Sequence, residues 1–175
     1  MGQEWAATSP FLFFTDHHEE LGRKVSEGRR AEFASFEAFA ANDEEVPDPQ
    51  ATDTFHRSVL NWDEREESPH AETRGLYEQL LRLRQSHPAM AANDRGLFDV
   101  RAVDDHTVSL RRSSRDGQAA LLAVVRLSGS GPTRVPVDPG FTRAVVTAGP
   151  AVVVDAEVRF DGPAAVVLSR DSDRR

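Results

Sequence analysis

Near Asn93 the spacing of apolar residues changes from a helical period to an alternating one, and this switch limits the chain to few architectures. Before it, Leu76, Leu80 and Leu83 recur at i, i+4 and i+7, with Tyr77 and Leu81 widening the stripe and Glu78, Arg82 and Arg84 mostly outside it. Ser68 is the predicted N-cap, Pro69 the first helical residue and Pro88 the stop. A stripe this wide requires a larger body to pack on. After the switch, Asn93 to Gly96 reads as a turn, and Phe98, Val100 and Ala102 alternate with Asp99 and Arg101 as in a half-buried strand. Residues 107–112 read as a second strand. Arg115-Asp116-Gly117 signals a hairpin into 119–127, an almost unbroken apolar run that predicts a central strand. Gly and Pro clusters then punctuate strands near 133–137, 142–147, 151–159 and 164–169, a turn signal about every eight to twelve residues. The expectation is an antiparallel β-sandwich, ending in a charged, frayed tail from Asp171.

The front part is helical and irregular. Phe11 to Phe14 is too short for a membrane and suits one buried strand or a plug of aromatic side chains. Thr15 and Asp16 can cap a helix that begins near His17 or His18. Along it, Glu19 with Arg23 and Glu20 with Lys24 form acid-first i,i+4 pairs, Leu21, Val25, Phe33 and Phe36 supply apolar contact, and Gly28 is a weak point. Asn42 to Thr54, with two prolines and no periodicity, is a loop. Phe55, Val59, Leu60 and Trp62 predict a short helical turn docking it, before the charged run from Asp63 to Ser68.

Among 175 residues, 39 % hydrophobic and 29 % charged, the core must be modest. A net charge of −8 argues against nucleic acid or an anionic membrane as partner, since phosphate surfaces need a basic excess. The absence of Cys excludes disulfides and thiolate metal sites and suits a reducing cytoplasm. MGQEWAATSP carries Glu4 where a signal peptide is basic, so nothing marks export.

Candidate chemistry is sparse. Asp16, His17, His18 and Glu19 are adjacent at a helix start and do not converge on one ion, so no metal is expected. Arg23, Lys24, Arg29 and Arg30 are interleaved with Glu20, Glu27 and Glu32, which marks a solvated face. No G-x-S-x-G elbow accompanies the serines, and His56, His70, His87 and His106 have no partners at informative spacing.

One resemblance nevertheless accumulates. Met1 to Trp5, PFLFFTDH at 10–17, LGRKVSEGRRAEFASF at 21–36, Val46 to Gln50, Thr54-Phe55 with Ser58, Leu60 and Trp62, and LYEQLLRLRQSHPAM at 76–90, in this order, resemble the C-terminal part of the maltooligosyltrehalose trehalohydrolases of the α-amylase superfamily. The last motif is shared across that superfamily; the earlier ones are more specific, and the β half matches by pattern and position.

The resemblance implies an α+β chain: a helical and loop remnant of the last unit of a (β/α)8 barrel over 1–91, opening at the end of the eighth strand, then an antiparallel β-sandwich over 92–170. It implies hydrolysis, in the whole family protein, of the α-1,4-glucosidic bond beside a terminal trehalose unit. Two carboxyl groups must flank that bond, with a further Asp gripping the sugar, and in the superfamily these three lie on the ends of strands four, five and seven. Those strands are not in this sequence, so the chain is expected to carry no catalytic residue, to be inactive alone and to be a truncated or partial product, with residues 1–90 lacking the wall that Phe11, Phe13, Leu80 and Leu83 would pack on. Trp5, Asp16 and His17 fall in the loop after strand eight and could line a sugar subsite, against the plainer roles of buried aromatic and N-cap. No cofactor is implied. The expected partner is a maltooligosaccharide-type substrate in a completed barrel, with a separately encoded barrel part as an alternative, and no nucleic acid or membrane. A carbohydrate-binding accessory module is a further alternative, weakened because only Phe98, Phe141 and Phe160 follow residue 93, with no Trp or Tyr.

Overall fold

A computed structural model describes residues 1–33, 46–91, 94–141 and 143–171. The expectations for Phe36, the start of the loop at 42–45, Asn93, Thr142 and the tail at 172–175 lie outside these residues. The chain divides into two compact units, Met1–Arg74 and Gly75–Arg175.

The second unit is built on alternation. β1 (Phe98–Ala102), β2 (Thr107–Ser113), β3 (Ala119–Arg126), β4 (Thr133–Pro136), β5 (Arg143–Ala148), β6 (Ala151–Val154), β7 (Glu157–Phe160) and β8 (Ala164–Asp171) form two sheets. One has the order β1-β2-β3-β8-β5 and the other β4-β7-β6, and every ladder is antiparallel. Residues on alternate positions point to one face, so Ala120 and Val124 of β3 meet Val166 and Leu168 of β8 on the inner side. Phe141, Val158 and Phe160 fill the space between the sheets, and Val135 closes it. β3, predicted central, pairs on both sides and is the most buried strand with β8.

Two strand expectations are corrected. The stretch 151–159 is not one strand: it folds back as β6 and β7 through Asp155 and Ala156, both left-handed with φ of 49° and 60°. That turn lacks the glycine that usually announces such a pair, so the sequence reads as continuous. β1 is not half-buried either. As the edge strand it is exposed along its whole length.

The first unit is mostly turns around one helix. η1 (Gln3–Trp5) is a 3-10 turn, where a strand end was expected, and Phe11 to Phe14 is neither strand nor buried: Phe11 is 74 % exposed and Phe13 50 %. α1 (Glu19–Phe33) begins just after the expected residues and runs through Gly28. Its buried positions are Gly22 and Ser26, not Leu21, because Gln50 lies against the first and Asp48 against the second. A Cβ on Gly22 would stand 2.2 Å from the Gln50 amide nitrogen, so the helix can approach only through glycine. Lys24 pairs with Glu20 at 2.7 Å, whereas Arg23 turns forward to Glu27 at 3.0 Å. α2 (Thr52–Arg57) is the short helix expected before Trp62, and η2 (Asp63–Glu66) follows.

α3 (His70–Ser86) spans the point where the units divide. The Ser68 hydroxyl donates to the Glu72 carboxylate at 2.8 Å, in place of the predicted capping role of accepting a free helix N–H. Pro69 stands one residue before the helix. None of its residues is buried: of the stripe, Tyr77, Leu80 and Leu81 are exposed and Leu76 and Leu83 half-buried. Pro88 does not merely stop α3: it opens α4 (Pro88–Ala91). Ala89, fully buried, lies at β2 and β3, where its carbonyl accepts the Arg112 Nε–H at 2.7 Å. Among the described residues no helix is long and apolar enough to cross a membrane.

Phe160→Ala should cost about 3–5 kcal/mol in denaturant unfolding followed by the far-ultraviolet signal. Ala156→Gly should gain about 1 kcal/mol by relieving a left-handed alanine.

Candidate functional site

Trp5, the first sequence-predicted site residue, is buried at 6 % exposure. Two left-handed residues bracket its turn, Gly2 at φ 85° and Ala6 at φ 55°; a Cβ on Gly2 would come within 2.6 Å of that of Ala7. Non-glycine residues rarely hold such a φ unless neighbours over-determine it. Here they do. Glu64 Oε1 accepts the Trp5 indole N–H and the Thr8 backbone N–H, both at 3.1 Å, and Glu64 Oε2 accepts the Thr8 hydroxyl at 2.7 Å. His70 Nδ1–H donates to the Trp5 carbonyl at 2.9 Å, and the Trp62 ring lies 5.2 Å from that of Trp5. Nothing in the charged run 63–68 distinguished Glu64 from its neighbours, so the sequence missed it, as it missed the use of His70. Three donors on one carboxylate, the Thr8 hydroxyl foremost, hold the Glu64 pKa below its ordinary value, with burial opposing.

Asp16 and His17 are exposed and belong to a different node, organised by Gln50. Gln50 Oε1 accepts the Thr15 hydroxyl at 2.6 Å and the His17 N–H at 3.2 Å, while its amide donates to the His17 carbonyl at 3.0 Å. Thr15 therefore serves Gln50 and not the helix start. Asp16 makes no hydrogen bond among the described residues. The same loop centres on Asp48, whose carboxylate accepts the Ser26 hydroxyl and the Gln50 N–H and faces Arg30 at 3.6 Å; the Ser26 bond leads in holding its pKa down. An open cleft of about 440 Å³ runs along α1 between Glu19, Arg23, Glu27 and Arg30 and the pair Asp48 and Gln50. The structure thus keeps Asp16 beside His17 by adjacency and puts Trp5 in another cluster.

Hydrolysis of a glycosidic bond needs one carboxyl group held protonated, its pKa raised by an apolar or like-charged setting. Five of the described carboxyls run the other way. Asp48, Glu64, Glu66, Glu72 and Asp104 are all shifted down, by hydrogen bonds from Ser26, Thr8, Arg74, Ser68 and the His106 backbone respectively. Among the described residues no three His, Asp or Glu gather as a metal site. In the sandwich Phe141 and Phe160 are core residues, which leaves Phe98 as the only phenylalanine there open to stack on a sugar.

No family model matches the sequence. In structure, 98 % of the chain superposes with a TM-score of 0.75 on 27 % of a Salmonella typhimurium crystal structure provisionally named an alpha amylase, at 27 % identity. Helices and antiparallel sheets of the α-amylase kind are therefore the class to which this chain is assigned. Curated relatives narrow it: malto-oligosyltrehalose trehalohydrolase of Deinococcus radiodurans is 57 % identical over 89 residues, 51 % of this chain and 14 % of that protein. The Arthrobacter ramosus enzyme of the same name is 37 % identical over 170 residues, 96 % of this chain and 27 % of that one. The chain belongs to the malto-oligosyltrehalose trehalohydrolase family, and it spans about a quarter or less of the length of these relatives.

Both tryptophans, Trp5 and Trp62, lie in the first unit, so indole fluorescence reports on that unit alone. A carboxyl whose folded pKa is depressed stabilises above its ordinary value, 4.5 for Glu64, and that contribution fades as pH falls through the folded value. The fluorescence-detected midpoint should therefore drop below about pH 4.5, and Glu64→Gln should lower the midpoint at neutral pH while flattening the acid dependence.

Proposed function

We propose that this chain is the closing segment of a trehalose-releasing glycosidase, with residues 1–91 contributing the end of a (β/α)8 barrel and residues 92–170 a C-terminal β-sandwich. In the completed protein the reaction is hydrolysis of the α-1,4-glucosidic bond next to the terminal trehalose unit of a maltooligosyl trehalose. The carboxyl groups that act on the bond come from outside this chain. What supports this reading is one observation in the first unit. Among its described residues Trp5, at 6 % exposure, is the one large apolar side chain that is buried, while Phe11, Phe13, Phe14, Leu21, Phe55, Val59 and Trp62 are exposed. Soluble proteins rarely present a run of large apolar groups unless another surface covers them. The missing cover is proposed to be the rest of the barrel, in the same or a separately encoded polypeptide.

Within that assembly Asp16 and His17, free in their side chains to meet sugar hydroxyls, and Trp5, fixed by Glu64, are the proposed contributors to a sugar subsite. The partner is a maltooligosaccharide-type substrate; neither nucleic acid nor membrane is invoked. A cytoplasmic setting is proposed from the Cys-free composition.

The purified chain, incubated with a maltooligosyl trehalose, should release no trehalose above a no-protein control. It should also bind a hydrophobic dye at neutral pH while its far-ultraviolet signal stays folded. Trehalose release by the chain alone would overturn the proposal.

A further inference from the structure

A sheet edge left open is a template for another strand, and most edges of this sandwich are blunted. β4 carries Pro136, β5 carries a register shift between Ala144 and Val146, and β6 lies against β5 and β8 at a corner. β1 has none of these. Its five residues contain no proline, lysine or bulge, it pairs on one side with β2, and every position is exposed, Val100 at 55 % and Phe98 at 46 %. The sequence of β1, Phe98-Asp99-Val100-Arg101-Ala102, is moreover complementary to itself when reversed.

We propose that β1 is a homodimerisation edge, and that its partner is the same strand of a second copy of this chain. In an antiparallel pair centred on Val100, Asp99 stands opposite Arg101 of the second copy and Arg101 opposite its Asp99. Directly opposed side chains lie about 4.5–5.5 Å apart at Cβ, close enough for ion pairs. Within one chain these two already touch, Arg101 Nε donating to Asp99, and both are more than half exposed. Dimerisation turns that pair into a four-charge alternating cluster. On the opposite face of the strand Phe98, Val100 and Ala102, continued by Leu110 opposite Val100 on β2, form an apolar strip that the second copy extends across the junction. Two five-stranded sheets thereby become one continuous sheet. The device needs neither a carbohydrate nor catalysis, so it stands or falls apart from the function proposed above.

The test is sedimentation of the full chain, alone and in mixtures, with circular dichroism to show that each variant is folded. Wild type should sediment as a dimer that weakens with added salt. Asp99→Arg and Arg101→Asp each place like charges opposite one another and should raise the dimer Kd by about tenfold or more. Mixing those two variants restores both opposed pairs and should restore dimers, as should the double variant D99R/R101D. A monomeric wild type, or dimers indifferent to the single swaps, would overturn the proposal; the latter would point to association through the apolar residues of the first unit.

Discussion

Apolar surface has to leave water somewhere, and the two units of this chain meet that requirement in opposite ways. The two sheets of the second unit meet it internally: Phe141 and Phe160 are sealed between them by Val124, Val158, Val166 and Leu168, all at most 2 % exposed. Fully burying each such side chain is worth about 1.5–3 kcal/mol, and the antiparallel ladders satisfy the backbone groups that go in with them. Among the described residues of 1–74 there is no such layer. Their fixed points are polar: Glu64 on Trp5 and Thr8, Gln50 on Thr15 and His17, Asp48 on Ser26.

That difference sets what each unit can do by itself. A hydrogen bond exchanged for water contributes about 0.5–1.5 kcal/mol net, so a unit pinned by a few of them holds its local geometry without much reserve against unfolding. The local geometry is nevertheless well determined. Ala6 sits in the left-handed region because Glu64 and His70 take hold of the residue before it and Thr8 after it. Arg126 plays a comparable part in the sandwich, where its buried guanidinium donates to the carbonyls of Ser128, Ser130 and Gly131 and fixes the Gly-rich turn before β4. Polar side chains in this protein shape turns; aromatic and branched ones, where they are buried, supply the stability.

The strands were legible because alternation is a local property: β3 announces itself by apolar content and β2 by its spacing, without knowledge of their neighbours. The β6–β7 turn was not, because a left-handed Asp155-Ala156 pair is imposed by the ladder it joins and not by residue preference. Burial was legible only where the burying partner is in the same chain. Phe11, Phe13 and the α3 stripe were read as packed residues from their type, and Phe11, Phe13, Leu80 and Leu81 are exposed, because residue type states a preference for burial and not the presence of a neighbour. Glu64 failed in the reverse direction: a glutamate amid charges reads as solvated, and only the fold brings Trp5 and Thr8, 59 and 56 positions away, onto it. Of the candidate site, Asp16 and His17 are where a solvent-facing loop puts them, and the Gln50 that holds Thr15 and the His17 backbone was visible only as part of a motif.

The carboxylates carry this division into chemistry. An acid catalyst must keep its proton near neutral pH, which takes desolvation or a like charge without compensating donors. Each carboxyl that this chain builds into its structure is instead supplied with donors, and its charge is thereby part of what holds a turn: Glu64 the Trp5 turn, Asp48 the loop against α1, Glu72 the entry to α3 and Asp104 the β1–β2 connection. Groups used in this way resist protonation, so they are unsuited to donate a proton to a leaving sugar.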